Sequence, residues 1–351
     1  MMTDLKALIY DLRQEDLTDW AARNGQPAYR AQQVWKAIYQ RFIQSADEIT
    51  TLPKDLRETL TDSFDFIALD PVRSIDSADG QTVKTLFKLR DGQFVEAVLM
   101  YYDERRTLCI SSQSGCGMGC TFCATGQMGF RRNLSSGEII AQVLYYARLL
   151  AESEEQVTNI VMMGMGEPFH NFDNVMAALN RLNDPEAFGL GARRITLSTV
   201  GLIPKIRQFA DLNTQYNLAI SLHSVDNDLR ASMMPVSKKY TVDQLLEACR
   251  YYVEKTNRRI TFEYALIDGV NDSTAAAEAL AKAIRGMICH VNLIPLNPTR
   301  GFAKNGTRSD QVSAFAQVLE RHHIPVTVRM RRGIEIGAGC GQLATEVENG
   351  G

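Results

Sequence analysis

The chain has little that would mark it for export, for a membrane or for a repeat architecture. Its first residues, Met-Met-Thr-Asp-Leu-Lys6, carry no apolar signal core, and no uninterrupted apolar run approaches the ~20 residues of a membrane helix. No internal repeat or low-complexity tract occurs, so solenoids and compositionally biased arrays are set aside. An excess of one charge is also missing. The 38 Lys and Arg against 41 Asp and Glu leave a net charge of −3, the reverse of the basic profile common among nucleic-acid binders. Seven cysteines, an odd count, fit a reducing compartment better than a disulfide framework. These absences predict a cytoplasmic protein with no membrane partner.

What is present suits a globular protein. A chain of 351 residues, 45% hydrophobic and 23% charged, is long enough for one large domain and a small one around a substantial core. Basic doublets recur at Arg105-Arg106, Arg131-Arg132, Arg193-Arg194, Lys238-Lys239 and Arg258-Arg259, with a denser set at Arg329, Arg331 and Arg332. Each alone reads as a solvated element end. Several converging on one mouth would make a local positive field despite the net charge.

From Arg106 onward, short β-branched runs alternate with amphipathic stretches, the pattern of βα units on a parallel sheet. Predicted strands cover Leu108 to Ser112, Thr158 to Met163, Arg194 to Thr199, Leu218 to His223, Ile260 to Leu266, Val291 to Leu296 and Val326 to Arg329. Helices are predicted over Gly137 to Glu152, with Ser135-x-x-Glu138 as capping box, Asp173 to Leu182, Val242 to Lys255, Thr274 to Arg285 and Ser309 to His323. The fold class is therefore α/β, a partial (β/α)6 TIM-like barrel. Its chemistry is expected at the carboxyl ends of the strands. Residues 1–70 are helical in character, best seen at Tyr29 to Tyr39, and form a small accessory domain. A β-hairpin turning at Asp91-Gly92 fills 71–104, the barrel spans 105–333, and 334–351 make a terminal segment with a frayed tail at 348–351.

Three cysteines at Cys116, Cys120 and Cys123 have C-x₃-C-x₂-C spacing just after the first predicted barrel strand. Three thiolates on one loop suit one metal centre, although free cysteine is also a common small core residue. A structural zinc wants a fourth nearby ligand, whereas the nearest following candidates are His170 and Cys249. An iron–sulfur cube normally takes four cysteines, so three leave one iron open. Further along, Gly164-Met-Gly166-Glu167-Pro168, Ser198, Ser221-Leu222-His223 and Asn297 follow successive strands. Each alone can be read as a turn, a cap or a core polar group. Met162, Met163 and Met165 suit core packing or a pocket wall, and Cys249 and Cys289 suit structure.

The cysteine loop, with Phe122 before its last thiol, resembles the signature of the radical S-adenosylmethionine (SAM) superfamily. Its continuation, Ala124-Thr-Gly-Gln-Met-Gly-Phe-Arg-Arg-Asn-Leu134, resembles the RNA adenine methyltransferases of the RlmN and Cfr type, a likeness running from about Tyr29 to Leu343. The resemblance implies a [4Fe-4S] cluster on Cys116, Cys120 and Cys123. It implies SAM, two molecules per turnover, bound by Gly166, Glu167, Ser198, Ser221, Leu222, His223 and Asn297. Cys340 resembles the cysteine that accepts a methyl group, Cys109 its disulfide-forming partner, and Glu96 a proton acceptor, though Cys109 is arguable for that role and Glu96 also reads as an exposed strand carboxylate. A 5′-deoxyadenosyl radical would activate the S-methyl group, which then adds to adenine. Implied partners are 23S rRNA, tRNA and a flavodoxin- or ferredoxin-type electron donor. Pro168, Pro295 and the Ala338-Gly339 spacer resemble the branch methylating adenine C2, whereas Ile334 leans towards the C8 branch. Where the family has Ile-Asp-Ala before the methylated cysteine, this chain has Ile336-Gly337-Ala338. Other radical SAM enzymes, acting on proteins or small molecules, would share the cluster and barrel without needing the Cys109 and Cys340 pair. An iron–sulfur electron carrier or a zinc protein would need neither SAM nor that pair.

Overall fold

The computed structural model describes residues 6–329 and 332–345; Arg331, the leading 1–5 and the tail at 348–351 lie outside the described residues. The elements run in order as β1 (Ala7–Leu8), α1 (Gln14–Arg23), α2 (Ala28–Gln40), α3 (Lys54–Ser63) and β2 (Phe64–Asp65), then β3 (Leu69–Asp76), β4 (Thr82–Leu89) and β5 (Phe94–Tyr101). Next come β6 (Arg106–Cys109), β7 (Gln113–Gly115), α4 (Ala124–Gln127), β8 (Phe130–Asn133), α5 (Ser136–Ala151), β9 (Asn159–Met162) and α6 (Phe172–Asn183). After them lie β10 (Ile195–Thr199), α7 (Ile203–Asp211), β11 (Asn217–Ser221), α8 (Asn227–Met233), α9 (Val242–Thr256) and β12 (Ile260–Leu266). The last are α10 (Thr274–Ala283), β13 (Cys289–Pro295), α11 (Ser309–Arg321) and β14 (Val326–Val328).

One ten-stranded sheet runs β3-β4-β5-β6-β9-β10-β11-β12-β13-β14. From β6 to β14 all neighbours are parallel, the arrangement of a partial barrel. β3, β4 and β5 join this sheet through antiparallel pairs. The expected hairpin is thus β4–β5, and β3 adds a third strand. Its turn closes as predicted: Gly92 takes φ +84° and donates to Leu89 O at 2.9 Å. In β12 every residue but Thr261 is buried, as parallel strands covered on both faces require. The shorter helices α7 and α8 add to the helices read from the sequence. A small β7–β8 hairpin brackets the cysteine loop.

The amino-terminal helices pack into the barrel's core. On α2, Ala31, Val34, Trp35, Ala37, Ile38 and Tyr39 form one buried face. Arg181 on α6 donates to Tyr10 O and, at 3.4 Å, to Tyr39 Oη, and its guanidinium lies 5.6 Å from the Trp35 ring centroid. Asp11 Oδ1 accepts from Gly137 N at 2.6 Å and Ser136 Oγ at 3.2 Å, so a carboxylate of the amino-terminal unit sits at the positive end of α5. The predicted capping box is present: Glu138 N donates to Ser135 Oγ at 3.2 Å and Ser135 N to Glu138 Oε2 at 2.9 Å. No helix among the described residues is long and apolar enough to cross a membrane. Replacing Ser135 with Ala removes half of the box, and a loss of about 1 kcal/mol is expected in urea denaturation.

Candidate active site

The cysteine loop follows β7 through two left-handed glycines, Gly115 (φ +70°) and Gly119 (φ +64°). A Cβ on Gly115 would lie 1.9 Å from Gly129 O, so no other residue fits where the hairpin doubles back. Cys116, Cys120 and Cys123 line one cavity of about 150 Å³ at the carboxyl ends of the strands. Burial pushes the Cys116 thiol up to about 12 and raises Cys120 and Cys123 too, each with a further upward push from a neighbouring cysteine sulfur. Thiols so placed need a positive centre to stay ionised. Among the described residues, no three Cys, His, Asp or Glu side chains converge on a point fit for a single ion. All three thiols line the same cavity.

The same cavity is lined by Gly166, Glu167, Ser198, Ser221, His223, Asn297 and Cys340. Gly166, at φ +101°, passes so close to Gln113 that a Cβ would lie 2.6 Å from that side chain. Glu167 is 2% exposed, accepting from Phe169 N at 3.0 Å and Val200 N at 2.9 Å. Burial outweighs those bonds and lifts its carboxyl to about 7. Ser198 and Ser221 hydroxyls stand 3.5 Å apart. His223 holds φ +59°, and its Nδ1 accepts from Ala265 N at 2.9 Å, which leaves Nε2 carrying the proton of the neutral ring. Burial and then the Arg230 charge pull its pKa down to about 3. Asn297 Nδ2 donates to Cys340 O at 3.2 Å, while Oδ1 is buried with no partner among the described residues. That unmatched acceptor fits a ligand carrying N–H or O–H groups, as adenosine does. Leu222 differs from its neighbours: its side chain is buried in the core and it is not among the residues lining the cavity. Met162 and Met163 line the cavity, but Met165 is buried and its sulfur accepts from Glu96 N at 3.3 Å.

The terminal segment closes the cavity. Ala124 N donates to Gly341 O at 2.7 Å and Thr125 Oγ1 to Leu343 O at 2.6 Å, so the cysteine loop itself holds the segment. Gln342 Nε2 donates to Pro298 O at 3.0 Å. Cys340 is brought near Cys109 and Arg329. The Cys340 sulfur is the largest influence raising Arg329, with Glu263 and Cys109 adding to it against burial. Burial, reinforced by Cys340 and opposed by Arg329, pushes Cys109 up to about 12. Neither cysteine forms a disulfide here. Cys249 and Cys289 are buried away from this group, as expected of structural residues.

Glu96 corrects the reading of an exposed strand carboxylate. It is 3% exposed, pairs with Lys84 Nζ at 3.0 Å and accepts from Ala344 N at 2.9 Å. Lys84 also reaches Gly337 O at 3.5 Å, so the pair anchors the Cys340 segment to the meander. Gly337 has φ +65°, and a Cβ there would lie 3.3 Å from Lys84 Nζ. An Asp in its place would bring a second carboxylate to the ammonium that Glu96 already pairs. Glu96 and Lys84 face a second cavity of about 720 Å³, on the outer side of the segment, with Arg73 and Arg300 in its wall.

The basic doublets serve a different end. Arg106 is engaged by Glu155, Arg132 by Glu138 and Asp91, and Arg193 and Arg258 share Gln215. The positive groups at the cavities are Lys84, Arg73, Arg300 and Arg329. Lys84 was missed, yet it is legible: a register centred on Asp91-Gly92 sets Glu96 opposite Leu86, with Lys84 diagonal on the same face.

A partial parallel barrel with a three-cysteine loop and a ligand cavity at its strand ends defines a radical SAM enzyme. The chain matches the Radical SAM superfamily over residues 110–280 and the ribosomal RNA large subunit methyltransferase N-terminal domain over residues 8–65. It is 46% identical over 340 residues to a probable dual-specificity RNA methyltransferase RlmN of Staphylococcus aureus (strain NCTC 8325 / PS 47), covering 96% of this chain and 93% of that one. The Staphylococcus carnosus (strain TM300) protein of the same name is 45% identical over equal coverage. A crystal structure of a radical SAM methyltransferase from Sphaerobacter thermophilus superposes with TM-score 0.95 at 48% identity, covering 97% of this chain and all of the other. The chain belongs to the RlmN family of radical SAM RNA methyltransferases. Enzymes of this class use a [4Fe-4S] cluster and SAM.

Two measurements probe the site. With no cation beside it among the described residues, the Glu167 carboxylate costs stability as pH rises from its ordinary 4.5 through about 7. A ligand ammonium favours the ionised form. SAM binding to the reconstituted protein is expected to tighten between pH 6 and 8, and the gain is expected to shrink in Glu167→Gln, by isothermal titration. Lys84→Met strands a buried carboxylate and is expected to cost about 3 kcal/mol in urea denaturation, largely recovered in the double variant with Glu96→Gln.

Proposed function

We propose that the chain methylates C2 of an adenine in the peptidyl-transferase region of 23S rRNA and C2 of the adenine 3′ to the tRNA anticodon. The single observation carrying this reading is the grouping of Cys340, Cys109 and Arg329 at the strand ends, with Cys340 on the wall of the cofactor cavity. A radical SAM enzyme acting on a small molecule has no need of that second thiol. The dual-specificity name of the Staphylococcus relatives supports both RNAs.

In this reading Cys116, Cys120 and Cys123 hold the cluster, and Glu167, Ser198, Ser221, His223 and Asn297 hold SAM. Together, cluster and SAM supply a methyl group and the radical that activates it. Aromatic C2 is not nucleophilic, so direct displacement on SAM cannot methylate it. Cys340 therefore carries the methyl group to the base, from the wall of the cavity that it shares with Arg329. Glu96, in the wall of the outer cavity, is the candidate acceptor of the ring proton. Cys109 then attacks the Cys340 sulfur, an S–S bond forms, and the carbon–sulfur bond to the product breaks. The disulfide is transient, to be reduced in a cytoplasmic setting. The helical amino-terminal unit grips folded RNA, and a flavodoxin- or ferredoxin-type protein delivers the electron.

The test combines anaerobically reconstituted protein, dithionite and SAM with 23S rRNA or tRNA separately, followed by nucleoside mass spectrometry against authentic standards. The expected product is 2-methyladenosine from both RNAs, abolished in Cys340→Ala and Cys109→Ala. Appearance of 8-methyladenosine, or full activity in Cys340→Ala, overturns the reading.

A further inference from the structure

Arg230 is one of the largest fully buried side chains, 1% exposed. It projects from α8 one turn before Met233, whose carbonyl accepts from Thr121 N of the cysteine loop at 2.9 Å. Met233 also packs with Cys120 and Phe122 in a small apolar cluster. The guanidinium donates to Leu222 O at 2.9 Å, Ser221 O at 3.0 Å, Val200 O at 2.7 Å and Ser237 Oγ at 2.5 Å. All four are neutral oxygens, and among the described residues no carboxylate forms an ion pair with Arg230. Burial draws its pKa down to about 10, so the group stays cationic at neutral pH, and the sulfur of Cys120 heads the influences pulling the other way.

Neutral carbonyls satisfy the N–H groups but leave the charge itself uncompensated, and a buried unpaired cation costs several kcal/mol. Tying the ends of β10 and β11 to the turn at Ser237 calls for hydrogen-bond donors, not for a permanent charge. An anion alongside calls for the charge. Three thiolates give a cluster on the cysteine loop net negative charge, and reduction adds an electron. Net charge around an iron–sulfur cluster is one of the factors that set its potential.

We infer that Arg230 is the buried counter-charge of the cluster, a positioning residue that fixes the β10 and β11 ends and favours the reduced state. The inference rests on the cofactor alone and not on which RNA is methylated. It makes cluster reduction easier for a modest donor, because the added electron arrives beside a fixed positive charge.

Full-length Arg230→Lys and Arg230→Gln would be reconstituted with iron and sulfide, assayed for iron and sulfide content, and titrated by electron paramagnetic resonance without SAM or RNA. Lys keeps the charge; Gln keeps only donors. The expected result is a Lys variant close to the parent and a Gln variant with a more negative midpoint potential or a deficit of cluster. A Gln variant matching the parent in both content and potential overturns the inference. So does an equal change in both variants, including failure of both to load, since the charge would then not be what matters. Loss of the proposed RNA specificity would leave these potentials untouched, so the two failures are distinguishable.

Discussion

Two hydrogen bonds carry much of the site: Ala124 N to Gly341 O and Thr125 Oγ1 to Leu343 O. They join the loop that holds three thiols to a segment more than two hundred residues later, so the two ends of the barrel sequence close one chamber. Asn297, Lys84 and Glu96 add holds from β13 and the meander. None of these contacts is strong alone, since a net hydrogen bond is worth about 1 kcal/mol. Distributed over three surfaces, they fix the segment while leaving each hold individually easy to release.

The chamber walls divide the labour by environment. Apolar burial raises the cluster thiols, Glu167 and Cys109, while the cation of Arg329 lines the cavity and that of Arg230 is buried against the ends of β10 and β11. A low-polarity chamber with a few fixed charges suits a reactive intermediate, because side reactions with water are suppressed and each charge acts at full strength.

Much of this was legible in the chain. The period-2 and βα patterns located every parallel strand of the barrel, since buried parallel strands read as apolar runs. The Asp91-Gly92 turn and the Ser135-Glu138 box are local chemistry and appeared as expected. α8 has only 7 residues, too few for a helical period to declare itself. The environment of Glu96 could not be read from strand alternation, because its burial comes from Lys84 and from a segment 248 residues away. For Arg230, nothing in the sequence marks the residue; the packing of two strand ends around it is what reveals an isolated charge. The basic doublets, read as element ends unless several converged on one mouth, are in several cases engaged by intramolecular carboxylates and amides.

Asp11 fastens the amino-terminal unit to the barrel. Its carboxylate occupies the start of α5, the helix that follows directly on the β7–β8 hairpin bracketing the cysteine loop. Because α5 begins at that contact and the hairpin ends directly before it, a single carboxylate links the seam between the amino-terminal unit and the barrel to the base of the loop that carries the three thiols.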